Sequence, residues 1–309
     1  RVDDEDTWSY SNNPALHAST YAYGRWINDV LVFGVGQPAI DWATVADWAN
    51  LCDDNGWTVS GTIFEPGDSW ANLKLICEAG GAKPGFTGGV LTFTYSASRV
   101  SLDTITIDDL AEGDIDKPSC RSYAQRYNIG IPRYVSEAHK WEMVQSDPIE
   151  VSSYITADGE EKPLEVSLSL VNDKDQAAQL TAYRVHDSRE IEGFALHLKT
   201  RFYEYRVGDC LTVDIAEIGA PFDVVVTGRT PNPASMTVIL EFEGETDAKH
   251  ALALAATGTA PPDALIVTGE DRDFVQGTLA NPSGYNTQMI RGAGVVPPVG
   301  NLSATDAGA

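Results

Sequence analysis

Between residues 40 and 95 the apolar positions recur at helical spacing and then switch to alternation. Val45, Trp48, Ala49 and Cys52 stand at i, i+3, i+4 and i+7, one apolar stripe of a helix. Asp41 is its predicted N-cap, and Asn55-Gly56 stops it. Val59 to Phe64 reads as a strand. Asp68 caps a further helix that turns Trp70, Leu73, Ile76 and Cys77 inward and ends at Gly80-Gly81. A hairpin follows: Phe86-Thr87, the turn Gly88-Gly89, then Val90 to Tyr95. Upstream, Asn13-Pro14 places a cap before proline at the first helical position, which predicts a helix to about Tyr23, closed near Gly24. Ile27 to Phe33 is apolar and β-branched enough for a short strand or buried loop. Helix, strand, helix, hairpin is the order of a winged-helix unit.

From Leu102 onward the period becomes two. Strands are expected at Thr104–Ile107, Arg126–Val135, Trp141–Val144, Leu164–Leu170, Phe194–Leu198, Cys210–Ile215, Asp223–Gly228 and Thr237–Phe242. After the turn Arg206-Val207-Gly208-Asp209, Leu211, Val213 and Ile215 share one face and Thr212 and Asp214 the other. One helix interrupts the strands. Asn172 or Asp173 caps it, and Ala178, Ala182 and Val185 form a narrow stripe that lets it lie close to a sheet. Short strands with one helix predict a partly closed antiparallel barrel rather than a parallel sheet. Past Leu254 the texture changes again. Residues 251–309 hold eight Gly and five Pro, and only Phe274 and Tyr285 are aromatic, so this stretch reads as a linker or arm. No repeat at solenoid spacing occurs. The expected organisation is α+β: a small winged-helix-like domain over 1–100, a β-rich barrel-like domain with one helix over 101–250, and a Gly/Pro-rich tail over 251–309.

Composition narrows the functions. The 309 residues suffice for two or three domains, and 43% apolar content supports a packed core. The formal net charge is -24, which repels phosphate backbones and anionic lipid. Residues 41–95 carry seven acids against two lysines, so the winged-helix order lacks a basic recognition face. No nucleic-acid partner is expected. No apolar run reaches the ~18 residues of a membrane span. The chain starts at Arg1, with no charged-then-apolar segment after it, as expected of a fragment. Cys52, Cys77, Cys120 and Cys210 fit neither zinc nor CxxC spacing; each reads as a small buried hydrophobe, suited to a reducing cytoplasm. The acidic run Asp3, Asp4, Glu5 and Asp6 lacks the interleaved Gly and distant Glu of a calcium loop and reads as solvated charge.

The motifs that carry chemistry elsewhere are weak here. Gly34 to Ala39 matches GxGxxA, with Asp53 placed for a ribose contact. A pyrophosphate, however, needs a helix N-terminus directly at the glycines. Pro38 and the Asp41 cap start the helix too late, so a permissive loop is expected. His17, His139, His186, His197 and His250 form no zincin pair, and no Gly-x-Ser-x-Gly elbow occurs. The 45 acids make chance carboxylate pairs common. Tyr123, Tyr127, Tyr134, Tyr203 and Tyr205 could stack sugars, but at strand spacing they read as cross-strand packing. No catalytic, cofactor-binding or metal-ligating residue is assigned, and no cofactor is expected.

Four stretches carry a resemblance. "SNNPALH" at 11–17, "IDWATVADWANLCDDNG" at 40–56, "DSWANLKLICEAGGAKPGFTGGVLTF" at 68–93, and "DQAAQLTAYRVHDSRE" at 175–190 with the opening "YRVGDCLTVDI" stand in a familiar order. Together they resemble the tail tip attachment proteins, also called host-specificity or baseplate hub proteins, of long-tailed phages and gene transfer particles. The likeness covers roughly residues 8 to 250. Val207 stands where the family usually has Pro, and the "WINDVLVFGVGQPA" loop is longer. "VPPVGNLSATDAGA" at 296–309 looks like the first strand of a truncated fibronectin type III module. The resemblance implies a structural virion protein without catalysis. It would be a homotrimeric hub that closes the tail tube, joins tail tube and tip proteins to host-attachment elements, and assembles in the bacterial cytoplasm. The alternatives are a receptor- or carbohydrate-binding module, which needs an exposed aromatic platform, and a glycoside hydrolase, which needs two carboxylates roughly 5–10 Å apart in a cleft.

Overall fold

The computed structural model describes residues 10–27, 30–63, 67–111 and 121–262. Its first helices form where local caps dictate. In α1 (Pro14–Tyr23) the Asn13 side chain accepts from Ala15 N at 2.9 Å, and Gly24 closes the helix at φ 89°. A short antiparallel pair follows, β1 (Arg25–Ile27) and β2 (Val30–Phe33). α2 (Trp42–Asn55) starts at the Asp41 cap and ends at Gly56 in the left-handed region. α3 (Ser69–Ala79) starts at the Asp68 cap. β3 (Ala82–Thr87) and β4 (Val90–Tyr95) then pair through Gly88 and Gly89, at φ 61° and 84°. Two consecutive positive φ values are what a tight hairpin turn demands of glycine.

The strand expected at Val59–Phe64 is absent over residues 57–63, and Phe64 lies outside the described residues. Val59 N donates to Asn12 O and Ser60 N to Leu170 O. These bonds go to two unrelated segments, so no ladder forms.

The second half contributes β5 (Thr104–Thr106), β6 (Ile129–Ser136), β7 (Glu142–Gln145), β8 (Ile149–Glu150), α4 (Ser152–Asp158) and β9 (Pro163–Leu168). Then come α5 (Lys174–Asp187), β10 (Phe194–Lys199), β11 (Cys210–Asp214), β12 (Phe222–Asn232), β13 (Thr237–Glu245) and α6 (Ala248–Leu254). β6 pairs antiparallel with β7 and β8 and parallel with β9. A five-stranded sheet has the order β10-β13-β12-β11-β5, antiparallel except for the β11–β5 pair. Mixed pairing thus replaces the wholly antiparallel arrangement expected.

The five-stranded sheet does not close into the predicted barrel. Among the described residues, the backbone joins its ends, β10 and β5, through one bridge from the chain leaving β5, Leu110 to Leu198, and through Ala111 N donating to His197 O at 2.9 Å. β5 is three residues long, too short to tile the remaining gap with a ladder.

Two hydrophobic cores result. The first gathers α1, α2, α3, the β3–β4 hairpin, α5, Tyr134 and Leu168. Trp48 lies fully buried at its centre, stacked on Phe93 at 5.2 Å, and its Nε1 donates to Gly80 O at 2.8 Å. α5 lies close on β6 because Gly130 has no side chain. A Cβ there would fall 2.6 Å from Thr181 Cγ2. The second core fills the curled sheet with alternating Leu196 and Leu198, Leu211 and Val213, and Leu240 and Phe242. Among the described residues, no helix is long and apolar enough to cross a membrane.

Candidate functional site

A dense cluster of ionisable side chains lies where the C-terminus of α5, the end of β13 and α6 meet. Lys249 is 7% exposed, yet its Nζ sits 2.9 Å from Glu245 Oε2, 3.1 Å from Asp187 Oδ1 and 4.0 Å from Glu190 Oε1. His250 Nε2 is 2.5 Å from Glu245 Oε1, and its Nδ1 is 3.2 Å from Tyr183 OH. Thr246 Oγ1 donates to Glu190. Burial opposes the charge on Lys249, but the carboxylates of Asp187, Glu245 and Glu190 outweigh it and raise its pKa well above the amine range. Burial would raise Glu245 as well, but hydrogen bonds from His250 and Lys249 win and lower it. Glu190 goes the other way, raised by burial more than Lys249 offsets. An amine held so firmly charged is no nucleophile, and both nitrogens of His250 are engaged.

A second knot sits beside it. Arg189 clamps Asp158 with both terminal nitrogens, one at 2.8 Å, and Asn128 Nδ2 donates to the same carboxylate at 2.8 Å. The Arg189 hydrogen bond, assisted by Asn128 and opposed by burial, holds Asp158 down at about 2. Tyr154 OH meets His186 Nδ1 at 3.0 Å, and burial lowers the His186 pKa.

The void beside Asp187 and Tyr183 measures about 30 Å³, room for a water or two. The larger space, about 470 Å³, is an open groove lined by Tyr134, Ser136, Glu137, Asn172, Asp173 and Lys174. Among the described residues, no group of three His, Cys, Asp or Glu could hold a metal ion.

The residues singled out in the sequence are scattered. Gly34 takes φ 100°, and a Cβ there would lie 2.4 Å from Gly24 Cα. Val35 N donates to Ala22 O and Gly36 N to Tyr23 O, so this stretch caps the C-terminus of α1 instead of opening a helix. That is the permissive loop expected. Asp53 accepts from Asn13 Nδ2 at 2.8 Å, tying α2 to the α1 cap. His17 bonds Ser11 O, His139 bonds Pro262 O, and His197 is exposed on β10. Tyr134 is buried in the first core, Tyr203 and Tyr205 pack against the second, and Lys162 covers Tyr123. The tyrosines therefore serve two cores and a loop, not one platform. Burial pushes the Cys52 thiol up to about 12 and Cys210 up to about 11, and raises Cys77 as well, which makes them inert fillers. Cys120, Asp3, Asp4, Glu5, Asp6, Phe274, Tyr285 and the 296–309 stretch lie outside the described residues. Sequence reading missed both knots. Their one local sign is the Glu245–Lys249 spacing of i, i+4.

Exposed apolar side chains mark the surface. Phe86 stacks on Trp70 at the first hairpin. Trp141 and Met236 are more than half exposed at turns where φ is 64° and 55°. Positive φ in bulky residues costs about 1–2 kcal/mol each, and such strain clusters at functional surfaces.

No protein-family model matches the chain, and no curated protein matches its sequence. Solved structures do. A chain of the native gene transfer agent virion superposes with a TM-score of 0.50 at 15% identity, over 71% of this chain and 48% of that one. The tail protein from Neisseria meningitidis MC58 gives 0.45 at 15% identity, over 62% and 60%. The 43 kDa tail protein of prophage MuSo2 from Shewanella oneidensis gives 0.40 at 11% identity, over 66% and 65%. This chain spans less than two thirds of each. The likeness to the gene transfer agent chain is one of fold.

Proposed function

We propose that the chain belongs to the tail tip or baseplate hub proteins of long-tailed phages and gene transfer particles, and that its role is structural. The fold shared with a chain of the gene transfer agent virion carries this reading. The ionic knots support it, because their charges join elements of the fold to one another. In this reading α2, α3 and the β3–β4 hairpin are a winged-helix-like element beside the open five-stranded sheet of β5 and β10–β13, which serves as the hub wall. Three copies close the distal end of the tail tube. The exposed Phe86, Trp141 and Met236 are contact points for sister copies or for tube and tip proteins. The Gly/Pro-rich stretch beyond residue 250 leads to fibronectin type III-like modules and host-attachment elements. The protein assembles in the host cytoplasm and resides in the virion.

Immunogold labelling of particles released by the host that encodes the chain tests the assignment. Antibody against this chain should decorate the distal tail end. Unlabelled particles, or label on the head, would refute it.

A further inference from the structure

α6 and the segment to Pro262 are fastened to the body by a ring of polar contacts around a small apolar footing, in which Ala253 is fully buried in the first core and Leu254 and Ala256 pack against it. Of the seven residues of α6, only Lys249, His250 and Ala253 are buried, and Leu252 is 58% exposed. Lys249 and His250 both converge on Glu245 of β13, with Asp187 and Tyr183 of α5 and Glu190 beyond α5 completing the shell. At the head of α6, Ser98 bonds Asp247. Downstream, Gln179 of α5 donates to Leu254 O at 3.2 Å, and Gly258 N donates to Asp175 at 2.8 Å. Lys174 donates to Gly258 O at 2.9 Å. Ser146 bonds both N and O of Thr259, and His139 reaches Pro262 O at 2.9 Å. A Cβ on Gly258 would meet Lys174 O at 2.3 Å, so the strap lies tight against the first turn of α5.

The geometry points to an acid-operated latch: residues 247–262 detach from α5 and β13 as one unit when Glu190 and Glu245 beside Lys249 are protonated, lifting Ala253, Leu254 and Ala256 off the first core while the rest of both cores stays folded. Three carboxylates face one lysine and one histidine, so the knot carries surplus negative charge. Glu190 has a raised pKa, so it takes up its proton first as pH falls. That proton favours the folded form and removes like-charge repulsion on Glu245. Glu245 is lowered by its partners, so its contribution holds until pH falls below the usual glutamate range and is then lost. Lys249 stays charged throughout and is left buried beside neutral glutamates, an arrangement that does not persist. The response is therefore biphasic: firm under mild acid, open below it.

Hydrogen exchange of the full chain from about pH 7 down to about pH 3.5, corrected for intrinsic rates, reads this directly. Peptides covering 248–262 should keep their protection under mild acid and then exchange roughly tenfold faster, while β12 and β13 peptides stay protected. Glu245→Gln should bring that loss to neutral pH, and Glu190→Gln should not. Loss of protection in 248–262 and β12–β13 together, or no loss before global unfolding, would overturn the latch. So would a Glu245→Gln chain indistinguishable from the parent.

Discussion

The core under α1–α3 and α5 is fixed by polar anchors set among apolar side chains, whereas the core inside the five-stranded sheet is apolar alternation. In the first, Gln176 is 2% exposed and spans two segments: its Nε2 donates to Thr58 O and Ala79 O, and its Oε1 accepts from Thr58 N. Trp57 Nε1 donates to Gln179 at 2.7 Å, and Trp48 Nε1 to Gly80 O. In the second, backbone ladders satisfy the polar groups and the fill is Leu, Val, Ile and Phe. Helices packed at an angle leave backbone groups at their ends that side chains must reach. A sheet satisfies its own backbone, so its interior needs only volume.

This contrast predicts unequal tolerance. Trp48→Ala removes one of the two buried indoles of the first core and its bond to Gly80, and should cost about 3–5 kcal/mol in urea unfolding. Gln176→Leu keeps the volume but strands Thr58 N and two carbonyls, and should cost about 2–3 kcal/mol. Leu240→Met, the same kind of volume-conserving swap in the sheet, should cost under about 1.5 kcal/mol. Equal losses for Gln176→Leu and Leu240→Met would break the comparison. The smallest effect concerns pH. Asp158 is lowered to about 2 by Arg189. Its stabilising contribution is therefore present above the ordinary aspartate value and fades only as pH falls toward about 2. A carboxyl titration by NMR checks this, and a midpoint near the ordinary aspartate value would contradict the clamp.

Legibility in the sequence follows the same division. α1, α2, α3 and α5 were readable because Asn13, Asp41, Asp68 and Asp173 cap them locally and glycine ends the first three. The sheet strands were readable from alternation, as in β10, where buried and exposed residues alternate throughout. What escaped was long-range. The parallel partner of β6 is β9, reached only after β7, β8 and α4, and no local pattern names it. α4 and α6 are seven residues each, without a side-chain cap. Val59 to Ile63 has strand-forming residues but no neighbouring strand to pair with. The ionic knot joins Asp187 and Glu190 to Lys249, and only folding makes them neighbours.

Electron cryomicroscopy of the assembled particle tests the central claim most directly. The account predicts three copies of this chain around the distal tail axis, with the sheet of β10–β13 and β5 in the wall of the tube's end and both knots closed. A particle whose tail tip contains no density for this fold, or which holds it as a single peripheral copy, would contradict it.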